Sequence, residues 1–520
     1  MIKKMLNSRA FILYVFPFCF GLLSVLSFQP FNLSFINFIL LPIFFLLLVY
    51  IKNRSKSVYR KKPYRRNLFI FGYIFGFGFY LGGIYWITYS LTFDDNFKFL
   101  IPFALILLPL FLAFFTGLTT LIVGQFLNYN ISSVLLFSGS IAISDYIRGK
   151  ILTGFPWNLW GYSWSWFTEI LQVLNFLGFY AFNLITITVF TLPAVLFFRY
   201  SPGKKILIFS SAFLFVFLTF LYGSFSINKN KAVINYLNKN NNIYTKVISP
   251  DFKLKYFLKI EEVEIKIKKL IRYSDPDLNR KTLFIWPEGV FTGYNYNEIS
   301  QFSNLIKKNF SEKHLILLGV NTFDQNSSKY FNSLILVNNK FEVLYQYNKK
   351  KLVPFGEFLP LDKFLNKFGL KKITEGYGSF AKGKTQENII IENVNILPLI
   401  CYEIIFPELT QNAEDKTNLI VNISEDGWFG SSIGPHQHFA KAIFRSIENN
   451  SFLVRSANKG ISAIINNKGE IVKKLNINEA GNIEMEIPLL KSEYKNKNDL
   501  IFFLLLFTYL FIFLIFKNKN

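Results

Sequence analysis

Long apolar segments alternate with short charged loops in the first half of the chain, and shorter apolar and polar stretches alternate in the second half. A helix needs roughly 20 mostly apolar residues to cross a bilayer. Seven such segments are predicted in the first half and an eighth near the C-terminus. They cover residues 11–28, 33–51, 68–91, 99–127, 131–147, 171–198, 206–225 and 500–516. No small-x-small cleavage site follows the first segment, which indicates a retained span rather than a signal peptide.

Between residues 226 and 499, short β-branched stretches typical of strands alternate with amphipathic helical stretches. The strands are predicted at residues 243–248, 282–286, 315–320, 333–337, 343–347, 396–401, 419–423, 452–454 and 461–465, and the helices at 257–271, 299–309 and 436–448. No internal repeat is visible. We therefore predict a seven-span domain at 1–225, an α/β domain at 226–499 that is large enough for a full core, and a C-terminal transmembrane helix with a tail at 500–520.

The composition fits this division, because 51% of the 520 residues are hydrophobic although the formal net charge is +24. Basic residues crowd the N-terminus, the loop before the third span and the loop after the sixth. The loop after the third span instead carries Asp94 and Asp95. Cytoplasmic loops are enriched in Lys and Arg, so seven crossings leave the α/β domain outside and both termini inside. No arginine-rich tract accompanies a motif that reads nucleic acid, and we expect no nucleic-acid partner.

Two features of the membrane half stand out. Asp145 and Arg148 lie three residues apart in the fifth span, where charged groups are costly, so we expect them to pair or to lie at the interface. The segment 149–166 that follows is rich in tryptophan. An aromatic belt at the outer interface is the favoured interpretation, and a wall that binds lipid is the alternative.

The chain has two cysteines and three histidines, so a disulfide framework and a zinc cluster are both unexpected. His436 and His438 are assigned helix-start or packing roles, and no metal or other cofactor is predicted. Cys401 ends a predicted strand and leads into a predicted helix, where backbone N–H groups would ease thiolate formation and stabilise an oxyanion. Core packing of an isolated cysteine is the alternative interpretation.

Two more stretches could complete a reactive site around this thiol. Residues 284–289 read FIWPEG and place Glu288 just past a strand, and residues 347–357 read YNKKKLVPFGE. A thiol with a pKa of about 8.5 needs a base or a nearby cation to react at neutral pH. A buried carboxylate can act as the base, and a lysine can face the developing oxyanion.

In this order, FIWPEG, YNKKKLVPFGE and ICYE (400–403) resemble the nitrilase superfamily. With seven spans before the domain and one after it, the chain resembles the apolipoprotein N-acyltransferase family. TGFPWNLWGYSW (153–164) and NISEDGWFGSSIGPHQH (422–438) extend the resemblance. It implies a polytopic α-helical membrane domain of about eight spans and a periplasmic nitrilase-like αββα sandwich domain. A tryptophan that the family has after the first strand of this domain is missing, and Phe252, Tyr256 and Phe257 stand nearby.

The resemblance also implies roles for individual residues. Glu288 would be the general base, Cys401 the nucleophile and Lys349 the cation that stabilises the oxyanion, since the family's lysine lies two residues after the Tyr and three before the Leu of this motif. Glu357 would orient Lys349. Tyr402 and Glu403 match residues next to the family's nucleophile.

The implied reaction transfers a fatty acyl chain from a phospholipid, with phosphatidylethanolamine as the expected donor, through a thioester on Cys401. The acceptor would be the α-amine of the N-terminal diacylglyceryl-cysteine of a lipoprotein, at the bacterial inner membrane. Residues 358–380 combine apolar and basic positions, which suits a membrane-dipping lid or ordinary packing. A membrane-anchored amidase, or a transporter or scaffold with an inert outer domain, are the alternatives. No GxxxxGK[ST] phosphate loop is present, which disfavours energy coupling.

Overall fold

The structure is a computed structural model that describes residues 10–54, 64–237, 241–255, 258–360, 379–385, 387–411, 417–490 and 499–517. The chain forms two compact units. The first contains the described residues of Met1–Thr88, Lys98–Phe225 and Lys497–Asn520, and the second those of Tyr89–Phe97 and Ser226–Asn496. The loop Tyr89–Phe97, which lies between two apolar helices, thus groups with the α/β unit.

Apolar helices dominate the first unit. They are α1 (Phe16–Ser24), α2 (Asn37–Arg54), α3 (Tyr64–Ile84), α4 (Ile101–Gly124), α5 (Ile131–Lys150), α6 (Thr168–Leu171), α7 (Leu174–Leu177), α8 (Phe179–Thr191) and α9 (Pro202–Leu237), whose residues from Ser226 onward belong to the second unit. Among the described residues, five helical stretches are long and apolar enough to cross a membrane, and two shorter apolar helices lie at Phe11–Ser27 and Leu500–Phe516. Several membrane-crossing helices are therefore confirmed, and the count of eight stays a prediction.

The predicted span at 171–198 begins later than expected. The short helices α6 and α7 precede Gly178, whose positive φ of 74° interrupts the helical path, and α8 begins only at Phe179. Glycine adopts this backbone region readily, so it separates helices that hydrophobicity alone would join.

The aromatic-belt interpretation is wrong for most of segment 149–166. Trp157, Trp160, Tyr162 and Trp164 are buried within the first unit, and only Trp166 is partly exposed. The backbone here is largely irregular, with a short 3₁₀ helix at Trp160–Trp164. Irregular backbone at membrane depth is tolerated where protein surrounds it, so these rings fill the interior of the unit.

The expected pairing of Asp145 with Arg148 is confirmed. Arg148 Nη2 lies 3.0 Å from Asp145 Oδ1, and both side chains are buried. Asn183 on α8 donates to Asp145 Oδ2 at 3.1 Å and accepts from the Gly161 N–H at 2.9 Å. The Phe155 N–H donates to the Arg148 carbonyl at 3.0 Å. The pair thereby ties α5 and α8 to the tryptophan-rich segment.

The second unit is built on two sheets. Its strands are β1 (Asn242–Ser249), β2 (Thr282–Ile285), β3 (His314–Asp324), β4 (Lys329–Val337), β5 (Val343–Asn348), β6 (Ile389–Ile391), β7 (Val394–Ile400), β8 (Leu419–Glu425), β9 (Phe452–Asn458), β10 (Ser462–Ile465), β11 (Ile471–Leu475) and β12 (Gly481–Pro488). Its helices are α10 (Ile260–Ser274), α11 (Tyr296–Ile299), α12 (Ser303–Asn309), α13 (Pro407–Gln411) and α14 (Gly434–Asn449). The last helix of the chain, α15 (Leu500–Phe516), belongs to the first unit. All nine predicted strands are confirmed, whereas β6, β11 and β12 were not predicted.

The described strands form sheets of order β12-β1-β2-β3-β4-β5 and β11-β10-β9-β8-β7-β6. Strands β1, β2 and β3 run parallel in one sheet, as do β7, β8 and β9 in the other, and antiparallel strands flank each set. Leu283 and Ile285 face the core between the sheets, whereas Phe284 and Trp286 face the helices α10 and α12. With α14 packed on the second sheet, the layers are helix, sheet, sheet and helix, which confirms the predicted sandwich.

Candidate active site

Glu288 lies just past the C-terminal end of β2, the usual position of functional residues in parallel sheets. Its backbone packs closely on β3, because a Cβ atom at Gly319 would lie 2.7 Å from Glu288 Cα. Gly289, the next residue, has a positive φ of 73°, and a Cβ there would meet the Glu425 side chain at 2.9 Å. These two glycines let the FIWPEG turn enter the interior of the sandwich.

The structure brings Lys349 together with two of the predicted carboxylates. Lys349 follows β5, and its Nζ lies 2.8 Å from Glu357 Oε1 and 3.3 Å from Glu288 Oε1. Asn332 on β4 donates from Nδ2 to the same two carboxylate oxygens, at 2.7 Å each. The Val353 N–H holds the other Glu357 oxygen at 2.8 Å. All of these side chains are buried, so the carboxylates are oriented by fixed donors.

The charge of Lys349 is stabilised by its neighbours. Burial acts to lower the pKa of this ammonium group, but the carboxylates of Glu288 and Glu357 outweigh burial and raise it. The side chain therefore remains a cation at neutral pH and cannot act as a proton carrier. The second carboxylate oxygen of Glu288 accepts from the backbone N–H of Glu425 at 3.2 Å. Together with Lys349 and Asn332, this N–H fixes the orientation of the Glu288 carboxylate.

Cys401 follows β7 and has a left-handed backbone with φ of 48°. L-residues rarely adopt this conformation outside tight turns and functional corners. The predicted helix after the strand is a short 3₁₀ helix, Cys401–Ile405, rather than an α-helix. Burial raises the pKa of the thiol, Glu288 raises it further and Lys349 opposes both. The expectation of an easily formed thiolate is therefore wrong, and the resting thiol needs a base when it attacks.

Glu403 connects the nucleophile corner to the lysine loop. Its fully buried carboxylate accepts hydrogen bonds from the backbone N–H groups of Ile400, Lys350 and Lys351 at 2.9, 2.7 and 3.1 Å. The Tyr347 hydroxyl donates to both of its oxygens at 3.0 and 3.1 Å. Burial raises the pKa of Glu403, while these backbone donors and Lys349 oppose that effect. Glu403 thus holds the loop that carries Lys349 against the end of β7.

The other predicted neighbour of the nucleophile, Tyr402, lies on the same 3₁₀ helix. It is partly exposed, and its ring meets that of Phe406 edge-on with centroids 5.0 Å apart.

Two residues of the site carried no role in the sequence interpretation. Asn332 belongs to no motif and is recognisable only because β4 lies beside the lysine loop. Glu425 ends β8 within a stretch that matched the family, and its buried carboxylate accepts from Asn458 Nδ2 at 2.7 Å and the Gly427 N–H at 2.9 Å. Burial raises the pKa of Glu425 well above its ordinary value.

Other sequence expectations have mixed outcomes. Phe252, one of the candidates for the missing family tryptophan, is buried in the outer core, with Lys266 Nζ 5.0 Å from its ring centroid. Tyr256, Phe257 and most of the expected lid at 358–380 lie outside the described residues. His436 and His438 lie in the first turn of α14, as predicted for helix-start positions. Within the described chain, no group of three or more His, Cys, Asp and Glu residues is arranged to hold a metal ion.

Comparison with known proteins adds two matching families. The family described as "Apolipoprotein N-acyltransferase N-terminal domain" matches residues 20–192, and the family described as "Carbon-nitrogen hydrolase" matches residues 268–493. An apolipoprotein N-acyltransferase of Rickettsia typhi is 32% identical over 91% of this chain and 91% of its own length. One of Rhodopseudomonas palustris is 30% identical over 90% of this chain and 88% of its own length.

Solved structures also resemble the second unit. Saccharomyces cerevisiae Nit3, a member of branch 10 of the nitrilase superfamily, is 15% identical, and the similarity covers 48% of this chain and 90% of that chain with a TM-score of 0.35.

Proposed function

Because the chain belongs to the apolipoprotein N-acyltransferase family, we propose that it transfers a fatty acyl chain from a phospholipid to the N-terminal diacylglyceryl-cysteine of lipoproteins. The observation that supports this most is the extent of the similarity, which runs through the membrane unit as well as the nitrilase-like unit. An amidase acting on small soluble substrates would have no use for the membrane part. Both proposed substrates are lipids anchored in a bilayer.

In the first half-reaction, Cys401 Sγ attacks the ester carbonyl of the phospholipid while Glu288 accepts the thiol proton. A base is required because the pKa of the buried thiol is raised. Lys349, held as a cation between Glu288 and Glu357, faces the negative charge that develops on the carbonyl oxygen. The lysophospholipid leaves as an alcohol after it takes the proton from Glu288, and an acyl thioester remains on Cys401.

In the second half-reaction, the α-amine of the lipoprotein attacks the thioester carbonyl. Glu288 accepts a proton from the amine, and Lys349 again stabilises the oxyanion. The C–S bond then breaks, and Cys401 regains its proton from Glu288 as the N-acylated lipoprotein leaves. The same base serves both halves because its carboxylate stays fixed by Asn332 and by the backbone of Glu425.

The location of the site follows from the charge of the loops. Basic loops face the cytoplasm, so the catalytic unit lies on the periplasmic side of the inner membrane and both termini lie in the cytoplasm. Phosphatidylethanolamine, the expected donor, and the lipoprotein acceptor would both reach the unit from the membrane surface.

The test is the intact mass of the detergent-purified protein after incubation with phosphatidylethanolamine, compared with the variant Cys401→Ser. We expect one added acyl group that hydroxylamine removes, that is absent from the variant and that a diacylated lipopeptide discharges. A protein that hydrolyses small amides but never accumulates an acyl group would contradict the proposal and indicate an amidase.

A further inference from the structure

A second buried polar network contacts Cys401 through its backbone carbonyl. Its members are Ser424 and Asp426 at the end of β8, His438 on α14 and Arg455 on β9, and all four are at most 1% exposed. Arg455 Nη2 donates to both Asp426 oxygens at 3.0 and 2.8 Å, and the Ser424 hydroxyl donates to Asp426 Oδ1 at 2.6 Å. His438 Nδ1 lies 3.0 Å from the same oxygen. The proposed reaction assigns no role to this network.

Two members of the network reach the nucleophile. His438 Nε2 lies 3.2 Å from the backbone carbonyl oxygen of Cys401, and because a carbonyl only accepts, Nε2 must carry the hydrogen. Ser424 directly follows Ile423, which pairs with Ile400 on β7, so Ser424 lies beside the Cys401 corner, and its hydroxyl acts to lower the pKa of the thiol. The backbone of Cys401 is left-handed, a conformation that is strained in an L-residue. Contacts that hold its carbonyl therefore support the geometry in which the thiol is presented.

Asp426 anchors the network but is unsuited to act as a base. Burial acts to raise the pKa of its carboxyl group, but the positive charge of Arg455, the nearby imidazole of His438 and the hydrogen bond from Ser424 outweigh burial and hold the pKa well below its usual range. The carboxylate therefore remains an acceptor for Ser424. In the proposed reaction, Glu288 accepts the thiol proton. The Ser424 hydroxyl can then turn from Asp426 and donate to the thiolate.

We infer that Ser424 and His438 are positioning residues for the nucleophile: His438 fixes the Cys401 carbonyl in its left-handed conformation, and Ser424 stabilises the thiolate as it forms. This inference rests on the proposed role of Cys401. The charged and titratable groups that face the thiol are Glu288, Lys349 and Asp426, and of these only Asp426, which accepts from the Ser424 hydroxyl, loses a contact when Ser424 is changed.

The first test compares Ser424→Ala with Ser456→Ala in the full-length protein in detergent. Ser456 is equally buried on the neighbouring strand, pairs with Ile423 and donates to the Ile248 carbonyl at 2.7 Å. The readout is the rate of alkylation of Cys401 by iodoacetamide between about pH 6 and 10, measured on the Cys401 peptide so that Cys19 does not contribute.

We expect Ser424→Ala to slow alkylation about tenfold throughout this pH range, because a hydrogen bond to a charged group is lost. Ser456→Ala should leave the profile unchanged. If Ser424→Ala and the parent protein share one profile, the role of Ser424 is refuted.

The second test compares His438→Gln with His438→Asn. The Gln amide can replace Nε2–H and reach the Cys401 carbonyl, whereas the Asn amide is placed like Nδ1 and can reach only Asp426. We expect Gln to retain at least about tenfold more thiol reactivity than Asn at equal melting temperature. Equal or better reactivity of the Asn variant would refute the contact between His438 and the Cys401 carbonyl. If neither His438 variant folds, the Ser424 test decides whether the network positions the nucleophile.

Alkylation requires no acyl donor, so this inference and the proposed function can fail separately. A parent protein that alkylates with the expected Ser424 and His438 dependence but forms no thioester would contradict only the acyl-transfer proposal. A parent protein that forms the thioester while both variants behave as the parent would contradict only the positioning inference.

Discussion

Among the buried clusters of the described chain that combine carboxylates with a basic side chain, two differ clearly in charge balance. In the first unit, Asp145 and Arg148 form a pair that sums to zero, closed by the amide of Asn183. In the second unit, Lys349 stands between the carboxylates of Glu288 and Glu357, so one negative charge remains in excess next to a thiol. A balanced pair can only hold structure, whereas an excess carboxylate beside a thiol can accept a proton.

The partners of the two clusters support this distinction. Asp145, Arg148 and Asn183 hold the irregular tryptophan-rich segment through its backbone, by the contacts with Phe155 and Gly161. Glu288 is held by donors that fix the direction of its carboxylate, and Glu403 keeps the lysine loop against the nucleophile corner. The following changes break or sharpen the comparison.

The largest effect should come from removal of the excess charge. Glu288→Gln preserves the size of the side chain but removes the base, and we expect formation of the acyl-enzyme to slow about a thousandfold with little change in melting temperature. Mass spectrometry of single-turnover samples measures the rate. The control is Glu392→Gln, which alters an exposed carboxylate paired with Lys281 at 2.5 Å and should not change it. An active Glu288→Gln variant would show that another group takes the thiol proton.

The next largest effect should come from removal of the cation. Lys349→Met leaves two buried carboxylates without their partner, so we expect a loss of roughly 3 kcal/mol in stability and at least about a hundredfold in acylation. The double variant Lys349→Met, Glu357→Gln removes the uncompensated charge. It should recover much of the melting temperature but none of the acylation rate. Recovery of both would mean that Lys349 acts only through folding.

Breaking the balanced pair should affect stability alone. Asp145→Asn leaves a buried guanidinium group without its carboxylate, and we expect a loss of about 3 kcal/mol, of which the double variant Asp145→Leu, Arg148→Met restores roughly half. Acylation per folded molecule should stay within about twofold of the parent. Thermal unfolding in detergent and single-turnover acylation measure the two quantities. A folded Asp145→Asn protein without acylation would contradict the distinction between the clusters.

The smallest effect concerns a partly buried lysine outside both clusters. Burial lowers the pKa of Lys266 to about 8, although Glu425 and Glu262 act to raise it. The unfolded lysine titrates near 10.4, so between about pH 8 and 10 the unfolded state binds more protons and stability rises with pH. The melting temperature of the parent should therefore rise across this window relative to Lys266→Met. Parallel curves for the two proteins would refute the low pKa.

Much of the fold follows from local pattern. The nine strands between residues 243 and 465 were predictable because they are apolar, β-branched and bounded by turn residues. Strand β11 was not, because four of its five residues are exposed at a sheet edge, and β6 has only three residues. The two sheets share the same order of parallel and antiparallel strands, but no visible sequence repeat reflects this similarity.

The sequence predicted the candidate site only at positions where the residue type itself indicates a chemical role. Glu288, Lys349, Cys401 and Glu357 stand in motifs, and the structure places the first, second and fourth in direct contact. Asn332 and Arg455 stand in no motif, and Ser424 and His438 stand in the matching stretch 422–438 without an assigned catalytic role, because their roles depend on neighbours that are distant in the chain. The tryptophans of segment 149–166 misled for the same reason, since composition does not say which way a ring faces.

The sequence by itself determined the apolar helices, the alternation of the sandwich strands and the residue types able to carry an acyl-transfer reaction, because hydrophobic period and side-chain chemistry are local properties. Only the tertiary structure decided that Lys349 is a permanent cation, that the Cys401 thiol is neutral at rest and that Asp145 and Arg148 form a closed pair. Desolvation and Coulomb interaction depend on burial and on distances through space, and folding alone sets both.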